Sequence, residues 1–278
     1  MCTNCGCQIT SGNESHIPVE KSADGAAASV LTRLMAGNDQ QAEHNRMHFD
    51  QLGVLVINLM SSPGSGKTAL LEATIVHGRE RFRMAVIEGD LETENDSLRI
   101  RAHGVQAYQI TTGSACHLDA HLVHEALHKI DFSDIDVLFI ENVGNLVCPA
   151  SFDLGHHLNV ILLSVAEGDD KPAKYPVMFR AADVMLLTKT DLSPYLDEFS
   201  NERAEQNLRN LASQVPVFQL SARNGEGIDV WLNWLDEQIQ LHKHRLVNRP
   251  SFRPVRQPDA GSHATRILLR PARAVIKS

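Results

Sequence analysis

Apolar residues recur along the chain in short runs that alternate with longer, helix-length segments. The run at 54–60 has the length and apolarity of a buried strand, and similar runs follow at 84–88, 136–140, 159–165, 184–188 and 215–220. Strands that alternate with helices in this way form a parallel sheet covered by helices on both faces. The pattern therefore predicts an α/β domain, which an amphipathic helix at 231–241 closes.

The segment before this domain changes character near residue 30. Residues 8–29 are rich in Ser, Ala, Gly, Asn and Glu without apolar periodicity, which is typical of a flexible tether. Helical periodicity then extends from about Val30 to Phe49, with Asn38-Asp39 offering a break or a cap in the middle. We therefore expect the main domain to span 30–248 and to include this N-terminal helix.

The tail at 249–278 differs in composition from the rest of the chain. It holds seven Lys and Arg residues, one acidic residue and four prolines. Because proline discourages regular structure and the segment is polar and charged, we expect a disordered extension. A docking arm for an acidic surface is the alternative.

Composition and charge exclude several classes of protein. Hydrophobic residues make up 43% and charged residues 22% of the 278 residues, which excludes a wholly disordered or fibrous chain. The 34 acidic and 26 basic residues give a net charge of -8, which argues against nucleic acid as the main partner. No apolar run approaches the roughly 18 residues of a membrane span, and the polar N-terminus does not resemble a signal peptide. A cytoplasmic protein is therefore expected.

A glycine-rich turn follows the first predicted strand. Its sequence, Ser-Ser-Pro-Gly-Ser-Gly-Lys-Thr at 61–68, lies between a strand and a helix, which is the context that a phosphate-binding loop requires. Backbone N–H groups would surround the phosphates, Lys67 would reach the β and γ oxygens, and Thr68 would bind Mg²⁺. Ser61 replaces the first glycine of the usual pattern. The predicted phosphate-binding residues are Gly64, Ser65, Gly66, Lys67 and Thr68.

Two acidic residues end neighbouring predicted strands. Asp90 ends one strand, where it could hold Mg²⁺ or the attacking water, and Glu141 ends another at the same edge of the sheet. Gly144 follows Glu141 at a position suited to sensing a γ-phosphate. Either acid alone could instead be a solvated strand-end residue. We predict that Lys67, Asp90 and Glu141 are the catalytic residues.

The choice of base depends on two later loops. Thr188-Lys189-Thr190-Asp191 resembles the guanine motif Asn-Lys-x-Asp, in which the aspartate accepts hydrogen bonds from guanine and the lysine packs over the ring. Thr188 replaces the asparagine, but adenine offers the aspartate no matching pair of donors. Ser221-Ala222-Arg223 resembles the last base-contacting loop of GTPases. We therefore predict GTP, bound by Lys189, Asp191, Ser221 and Ala222.

All five cysteines fall in two groups that could bind metal. Cys2, Cys5 and Cys7 offer three thiolates, with the Met1 amine as a further ligand, and would suit Ni²⁺, Zn²⁺ or Cu⁺. A reactive but metal-free terminus is the alternative. The second group is Cys116 and His117, placed at the start of a predicted helix where the dipole lowers a thiol pKa, with Cys148 as a third ligand.

The helix that follows Cys116 carries a stripe of histidines. At 100 degrees per residue, one side of the helix would hold His117, His121, His124 and His128. The opposite, apolar side would face the core, so this stripe would face solvent or a partner. His121 is a further candidate ligand, whereas a solvated polar face is the simpler interpretation of His124 and His128.

Together these motifs resemble the HypB family of hydrogenase nickel-incorporation GTPases over about residues 1–241. The shared motifs are Cys-x-x-Cys-Gly-Cys at 2–7, Ser-Pro-Gly-Ser-Gly-Lys-Thr at 62–68, Thr-Gly-Ser-Ala-Cys-His-Leu at 112–118, Glu-Asn-Val-Gly-Asn-Leu-Val-Cys-Pro at 141–149 and Glu-Gly-Asp-Asp-Lys-Pro at 167–172. The resemblance implies a P-loop NTPase fold of the dimerising class related to signal-recognition and nitrogenase-type proteins. It also implies slow, Mg²⁺-dependent hydrolysis of GTP.

The resemblance further implies metal sites and partners. It suggests a nickel site at Cys2, Cys5 and Cys7, and a nickel or zinc site at Cys116, His117 and Cys148 near a dimer interface. The expected partners are a second copy on GTP binding, the small zinc protein HypA and the hydrogenase large-subunit precursor. Lys171 or Lys174 could reach the partner copy's phosphates. An accessory GTPase for another nickel enzyme such as urease, or a nickel-storage protein, are the alternative functions.

Overall fold

The computed structural model describes residues 23–90, 95–113, 115–211 and 213–248. In this part of the chain, seven parallel strands form one sheet in the order β3-β2-β4-β1-β5-β6-β7. Their bounds are β1 Leu55–Met60, β2 Met84–Asp90, β3 Gln106–Thr111, β4 Val137–Glu141, β5 Leu158–Ser164, β6 Val184–Thr188 and β7 Val217–Gln219. The predicted α/β fold is confirmed.

Helices cover both faces of the sheet. They are α1 Ala23–Leu52, α2 Lys67–Gly78, α3 Asn95–Ala102, α4 Ala120–Leu127, α5 Lys171–Lys174, α6 Pro176–Arg180, α7 Asn201–Arg209 and α8 Ile228–Asn248. Alternate strand residues such as Leu55 and Ile57 pack with α2, α3 and α8, whereas Val54 and Val56 pack on the other face against α1 and α4. This alternation follows from the two-residue period of a strand. Among the described residues, we find no helix with the length and apolarity that a bilayer crossing requires.

The edge strand β3 was not predicted from the apolar pattern. Its sequence Gln-Ala-Tyr-Gln-Ile-Thr is largely polar, and only Ile110 is fully buried. An edge strand has one paired side and less apolar cover than a central strand, so its sequence lacks the continuous hydrophobic run of β1 or β5.

Helix α1 is longer and more regular than expected. It begins at Ala23, so residues 23–29 are helical rather than part of the tether, and it continues through Asn38-Asp39 without a break. The Asn38 side chain is buried and joins two distant segments: Nδ2 donates to the Asp153 carbonyl (2.9 Å), and Oδ1 accepts from the Ala120 amide (2.9 Å). Asn38 therefore docks the helix instead of capping it.

Helix α4 begins later than the sequence pattern suggests. Asp119 caps it by accepting a hydrogen bond from the Leu122 amide (2.8 Å), so Cys116 and His117 precede the helix and do not occupy its first turn. The expectation of a dipole-activated thiol at the helix start is therefore wrong. His124 also departs from the predicted solvent-facing stripe, because it is half-buried against α1.

Three predictions concern residues outside the described part of the chain. These are the cysteine motif at 1–7, the tether up to residue 22 and the basic tail at 249–278.

Candidate nucleotide and metal sites

The predicted phosphate-binding loop connects the end of β1 to the start of α2. Gly64 and Gly66 adopt left-handed backbone conformations (φ 77° and 96°), which favour glycine. Lys67 and Thr68 form the first turn of α2 and are each 8% exposed. The loop therefore presents the N–H groups of a helix N-terminus, with a buried cation beside them, as an anion site requires. Ser61, in place of the usual glycine, is buried and accepts a hydrogen bond from Lys67 Nζ (3.2 Å).

Two buried carboxylates lie beside this loop. Thr68 Oγ1 donates to Glu141 Oε1 (2.9 Å), and Glu141 is paired across the sheet with Glu88 of β2. Burial raises the pKa of Glu141 to about 7. Burial, with added repulsion from Glu141 and Asp90, raises the pKa of Glu88 to about 8. One oxygen of each glutamate has no hydrogen-bond partner among the described residues. Such a pair of oxygens fits a hard divalent cation.

Glu88 was missed by the sequence analysis. It lies inside the apolar run of β2, two residues before Asp90, and is 2% exposed. An acidic residue within a buried strand is the signal that could have identified it, since an unpaired buried charge is costly and commonly functional. Asp90 ends β2 as predicted and is only partly buried.

The loop that follows β4 packs directly on the phosphate-binding loop. A side chain at Gly144 would place its Cβ 2.8 Å from the Pro63 Cα, so glycine is required by the close approach of the two backbones. The Asn145 amide donates to the Ser61 carbonyl (2.9 Å). The same loop then reaches Cys148, which begins a single 3₁₀ turn at Cys148–Ser151.

A cavity of about 240 Å³ adjoins the phosphate-binding loop on its other side. The predicted base-binding residues line it: Lys189, Asp191, Ser221 and Ala222, together with Ser65 and Gly66. Asp191 Oδ1 accepts from Ser221 Oγ (2.6 Å), which links the two base-binding loops. Thr188 Oγ1 donates to the Ser65 carbonyl (2.7 Å), and Lys189 Nζ donates to the Gly64 carbonyl (2.6 Å). The threonine that replaces asparagine therefore holds the phosphate-binding loop.

Glu167 is a further contact of this loop. Its carboxylate accepts hydrogen bonds from Ser62 Oγ and Ser65 Oγ. Glu167 begins the motif at 167–172, whose spacing alone does not reveal this contact. Lys174, just after this motif, pairs with Asp170 (2.6 Å), and Lys171 lies over the Tyr175 ring, so both lysines are near the surface of a single chain.

The structure brings together Cys116, His117 and Cys148, the second predicted metal group; we call these three residues the thiol group. The Sγ atoms of Cys116 and Cys148 lie 3.2 Å apart, well beyond the roughly 2.05 Å of a disulfide bond, and both thiols are free. His117 Nδ1 is 3.7 Å from Cys116 Sγ, and all three potential ligand atoms lie within 4.8 Å of one another. Thiolate and imidazole ligands at about 2.3 and 2.0 Å from an ion have similar mutual separations, so the group fits Zn²⁺ or Ni²⁺.

Comparison with known proteins decides the family. The family described as "CobW/HypB/UreG, nucleotide-binding domain" matches residues 55–219. The hydrogenase maturation factor HypB of Azotobacter vinelandii is 51% identical over 225 residues, which cover 80% of this chain and 74% of that protein. The chain belongs to the HypB family.

Two further HypB proteins extend the comparison. The hydrogenase/urease maturation factor HypB of Helicobacter hepaticus is 49% identical over 203 residues, covering 72% of this chain and 83% of that protein. The crystal structure of HypB from Helicobacter pylori in complex with nickel superposes with a TM-score of 0.71 at 39% identity. That match covers 74% of this chain and 97% of the solved chain. The residues that the family model matches, 55–219, span the sheet from β1 to β7.

Another group of potential ligands in this HypB-family chain lies beside the amino ends of the central strands β1 and β5. It consists of Asp50, His157 and His242. His157 Nδ1 accepts a hydrogen bond from the Val56 amide (2.9 Å), so Nε2 carries the proton and is directed to Asp50 (3.2 Å). With both ring nitrogens engaged, His157 has no free lone pair for a metal.

Proposed function

We propose that this chain is a GTP-hydrolysing nickel metallochaperone that acts in the maturation of [NiFe] hydrogenase. One structural feature carries the proposal: the loop at 142–148 leaves β4 after Glu141, packs Gly144 against Pro63, and ends at Cys148 in the thiol group. A segment that contacts both sites can transmit a change from one to the other. The family supports the same conclusion, since HypB relatives are named hydrogenase maturation factors and one was crystallised with nickel.

The chain's own residues would bind and orient GTP. The N–H groups of residues 64–68 would hold the phosphates, and Lys67 would neutralise charge that develops on the β and γ oxygens. Asp191 would accept hydrogen bonds from the guanine edge, with its carboxylate oriented by Ser221. Asp90 and Glu141 would position the attacking water. Family resemblance supports slow turnover.

Mg²⁺ would be held by Thr68 together with the carboxylates at the strand ends. Asp90 and Glu141 are the predicted ligands, and Glu88 adds a third carboxylate. The unpartnered oxygens of Glu88 and Glu141 support this assignment. When bound, Mg²⁺ supplies charge neutralisation of the phosphates.

Cys116, His117 and Cys148 would carry Ni²⁺ or Zn²⁺, and Cys2, Cys5 and Cys7 would hold Ni²⁺ as cargo. A change of nucleotide would shift the loop at 142–148 and thereby move one ligand relative to the other two. The proposed partners are a second copy on GTP binding, a HypA-type zinc protein and the hydrogenase large-subunit precursor. The proposed compartment is the cytoplasm.

Nickel titration in two nucleotide states tests this coupling. The protein would carry Cys2→Ser, Cys5→Ser and Cys7→Ser, so that Cys116, His117 and Cys148 are the remaining cysteine-containing metal site. It would be loaded either with GDP or with a non-hydrolysable GTP analogue and Mg²⁺. We expect Ni²⁺ affinities that differ by at least about fivefold between the two states, the lower end of ordinary allosteric coupling. Adding Cys116→Ser should remove the dependence of Ni²⁺ binding on nucleotide. Equal affinities in the two states would contradict a regulated carrier.

A urease-type accessory role is the second candidate, because the Helicobacter hepaticus relative is named a hydrogenase/urease maturation factor. Complementation of a deletion strain distinguishes the two: the proposed role requires restored hydrogenase activity, whereas the alternative requires restored urease activity. A nickel-storage protein would instead continue to support hydrogenase when Lys67→Ala has abolished hydrolysis.

A further inference from the structure

Four histidines form a cluster outside both sites described above. His44 and His48 lie on α1, His124 lies on α4, and His128 is the C-cap residue of α4; we call these four residues the imidazole cluster. The ring centroids of His44 and His48 are 5.2 Å apart, and those of His124 and His128 are 5.1 Å apart. Between the helices, His124 is 5.3 Å from His44 and 6.3 Å from His48. Each ring therefore neighbours at least one other.

The spacing along each helix explains why the rings meet. Residues four apart lie on the same helix face, so each helix contributes one pair. Asn45, between the two histidines of α1, fixes the helices to each other because its Nδ2 donates to the Ala120 carbonyl (2.7 Å) and to the Leu154 carbonyl (3.1 Å). Two histidine pairs are thus held against each other by a buried contact between α1 and α4.

Asn45 also determines the tautomer of His124. With Nδ2 engaged by two carbonyl oxygens, its Oδ1 faces His124 Nδ1 at 3.1 Å. An amide oxygen can only accept, so His124 Nδ1 carries the proton and donates it. Nε2 then keeps its lone pair. Metal-binding histidines are commonly oriented in this way, with one nitrogen donating to a fixed acceptor and the other directed to the ion.

A second nitrogen in the cluster has no partner. His44 Nε2 is buried and makes no hydrogen bond with the described residues. A buried polar atom without a partner is uncommon in folded proteins and calls for an explanation such as an ion. Burial, followed by repulsion from the neighbouring imidazoles, also lowers the pKa of His124 to about 4, so this ring is neutral at physiological pH.

We propose that the imidazole cluster binds a divalent first-row transition ion of the Ni²⁺ or Zn²⁺ class. Imidazole nitrogen suits these ions, whereas Mg²⁺ and Ca²⁺ prefer oxygen. The site uses none of the residues assigned to nucleotide or to the thiol group, so it goes beyond the proposed function and does not depend on GTP.

Ring spacing supports coordination by several of these side chains at once. A metal–nitrogen bond of about 2 Å places each ring centroid about 3 Å from the ion, so two rings at the tetrahedral angle have centroids about 5 Å apart. Three of the measured separations lie between 5.1 and 5.3 Å. Among the described residues, the nitrogens of three of these rings do not all lie within 4.8 Å of one another, so coordination would require rotation about the side-chain bonds.

Zn²⁺ binding to a cysteine-free full-length chain tests the proposal. Replacing Cys2, Cys5, Cys7, Cys116 and Cys148 by serine removes the thiol sites and leaves the imidazole cluster intact. Equilibrium dialysis should then show one bound equivalent of Zn²⁺, which His44→Ala combined with His124→Ala should weaken by at least about tenfold. The matched control is His77→Ala combined with His103→Ala, which removes two exposed histidines elsewhere and should leave binding unchanged.

NMR of the imidazole nitrogens gives a second readout that needs no histidine variant. Long-range ¹H–¹⁵N spectra of the cysteine-free chain should show His124 as the Nδ1–H tautomer, and added Zn²⁺ should shift its Nε2 resonance. The proposal is overturned if the cysteine-free chain binds no Zn²⁺, if the double variant of the cluster binds it as tightly as the control, or if the His124 resonances do not respond.

Discussion

The nucleotide region and the thiol group are built in different ways. Lys67 and Thr68 are buried at the junction of a central strand and a helix, and their loop is held by Thr188, Lys189 and Glu167 from two other segments. The thiol group lies at the surface on two loops, one before α4 and one after β4. One site therefore has a shape fixed by the sheet, whereas the other depends on the relative position of two loops.

This difference shows which site can respond to the other. Strand ends within a sheet are tied by ladder hydrogen bonds, so the phosphate-binding loop can adjust little. Cys148 belongs to a loop that touches the phosphate-binding loop at Gly144 and Asn145. The fixed site can thus impose its state on Cys148.

Lys67→Ala should have the largest effect and should separate the regions. Removing a cation that stabilises developing phosphate charge should reduce GTP hydrolysis by at least about 100-fold. The thiol group contains no contact with Lys67, so Ni²⁺ affinity without nucleotide should remain as in the wild type. Phosphate release and metal titration on the same preparation measure both. Lys129→Ala, an exposed lysine remote from both sites, is the control. Loss of Ni²⁺ affinity in the Lys67 variant would show that the regions are not separable.

Gly144→Ala should disturb both regions together. The added Cβ would meet the Pro63 backbone at 2.8 Å, and neither backbone can yield without moving its loop. We expect GTP binding to weaken by about tenfold, within the range that overpacking costs, and Ni²⁺ affinity to fall by less. Gly37→Ala is the control, because a Cβ there meets nothing within 4 Å. A change at only one of the two sites would show that the loop at 142–148 does not connect them.

The nucleotide region was more predictable from sequence than the metal region. Gly64, Lys67 and Asp191 belong to contiguous motifs whose spacing follows from the phosphate and base they contact. The thiol group was assembled from Cys116 and Cys148, which are 32 positions apart, and only the folding of the loops after β3 and β4 brings their Sγ atoms to 3.2 Å. The error at the start of α4 arose because helical periodicity does not reveal that Asp119 is the cap.

Other features depend on tertiary contacts that no local pattern encodes. Asparagine at position 38 suggests a helix break, yet the Asn38 side chain forms hydrogen bonds with Asp153 and Ala120 from distant parts of the chain. The sequence does not single out the histidines of α1, because their contact with His124 exists only after α1 docks on α4. Glu88 carries a local signal, an acidic residue inside an apolar run, but its pairing with Glu141 exists only in the folded sheet.

Glu88→Gln should have the smallest effect and should reveal the protonation state of the carboxyl group beside the nucleotide site. The pKa of Glu88 is raised from 4.5 to about 8 in the folded chain, chiefly by burial. Between these values the folded state holds a proton that the unfolded state has lost, so stability falls as pH rises through this window. Without nucleotide and Mg²⁺, glutamine should therefore raise the melting temperature at pH 8 and change it little near pH 5. Glu80→Gln, whose side chain is 90% exposed, should show no such pH dependence. If Glu88→Gln, like Glu80→Gln, changed the melting temperature by the same amount at both pH values, Glu88 would carry its charge in the folded state. That result would contradict a carboxyl group kept neutral until a cation binds.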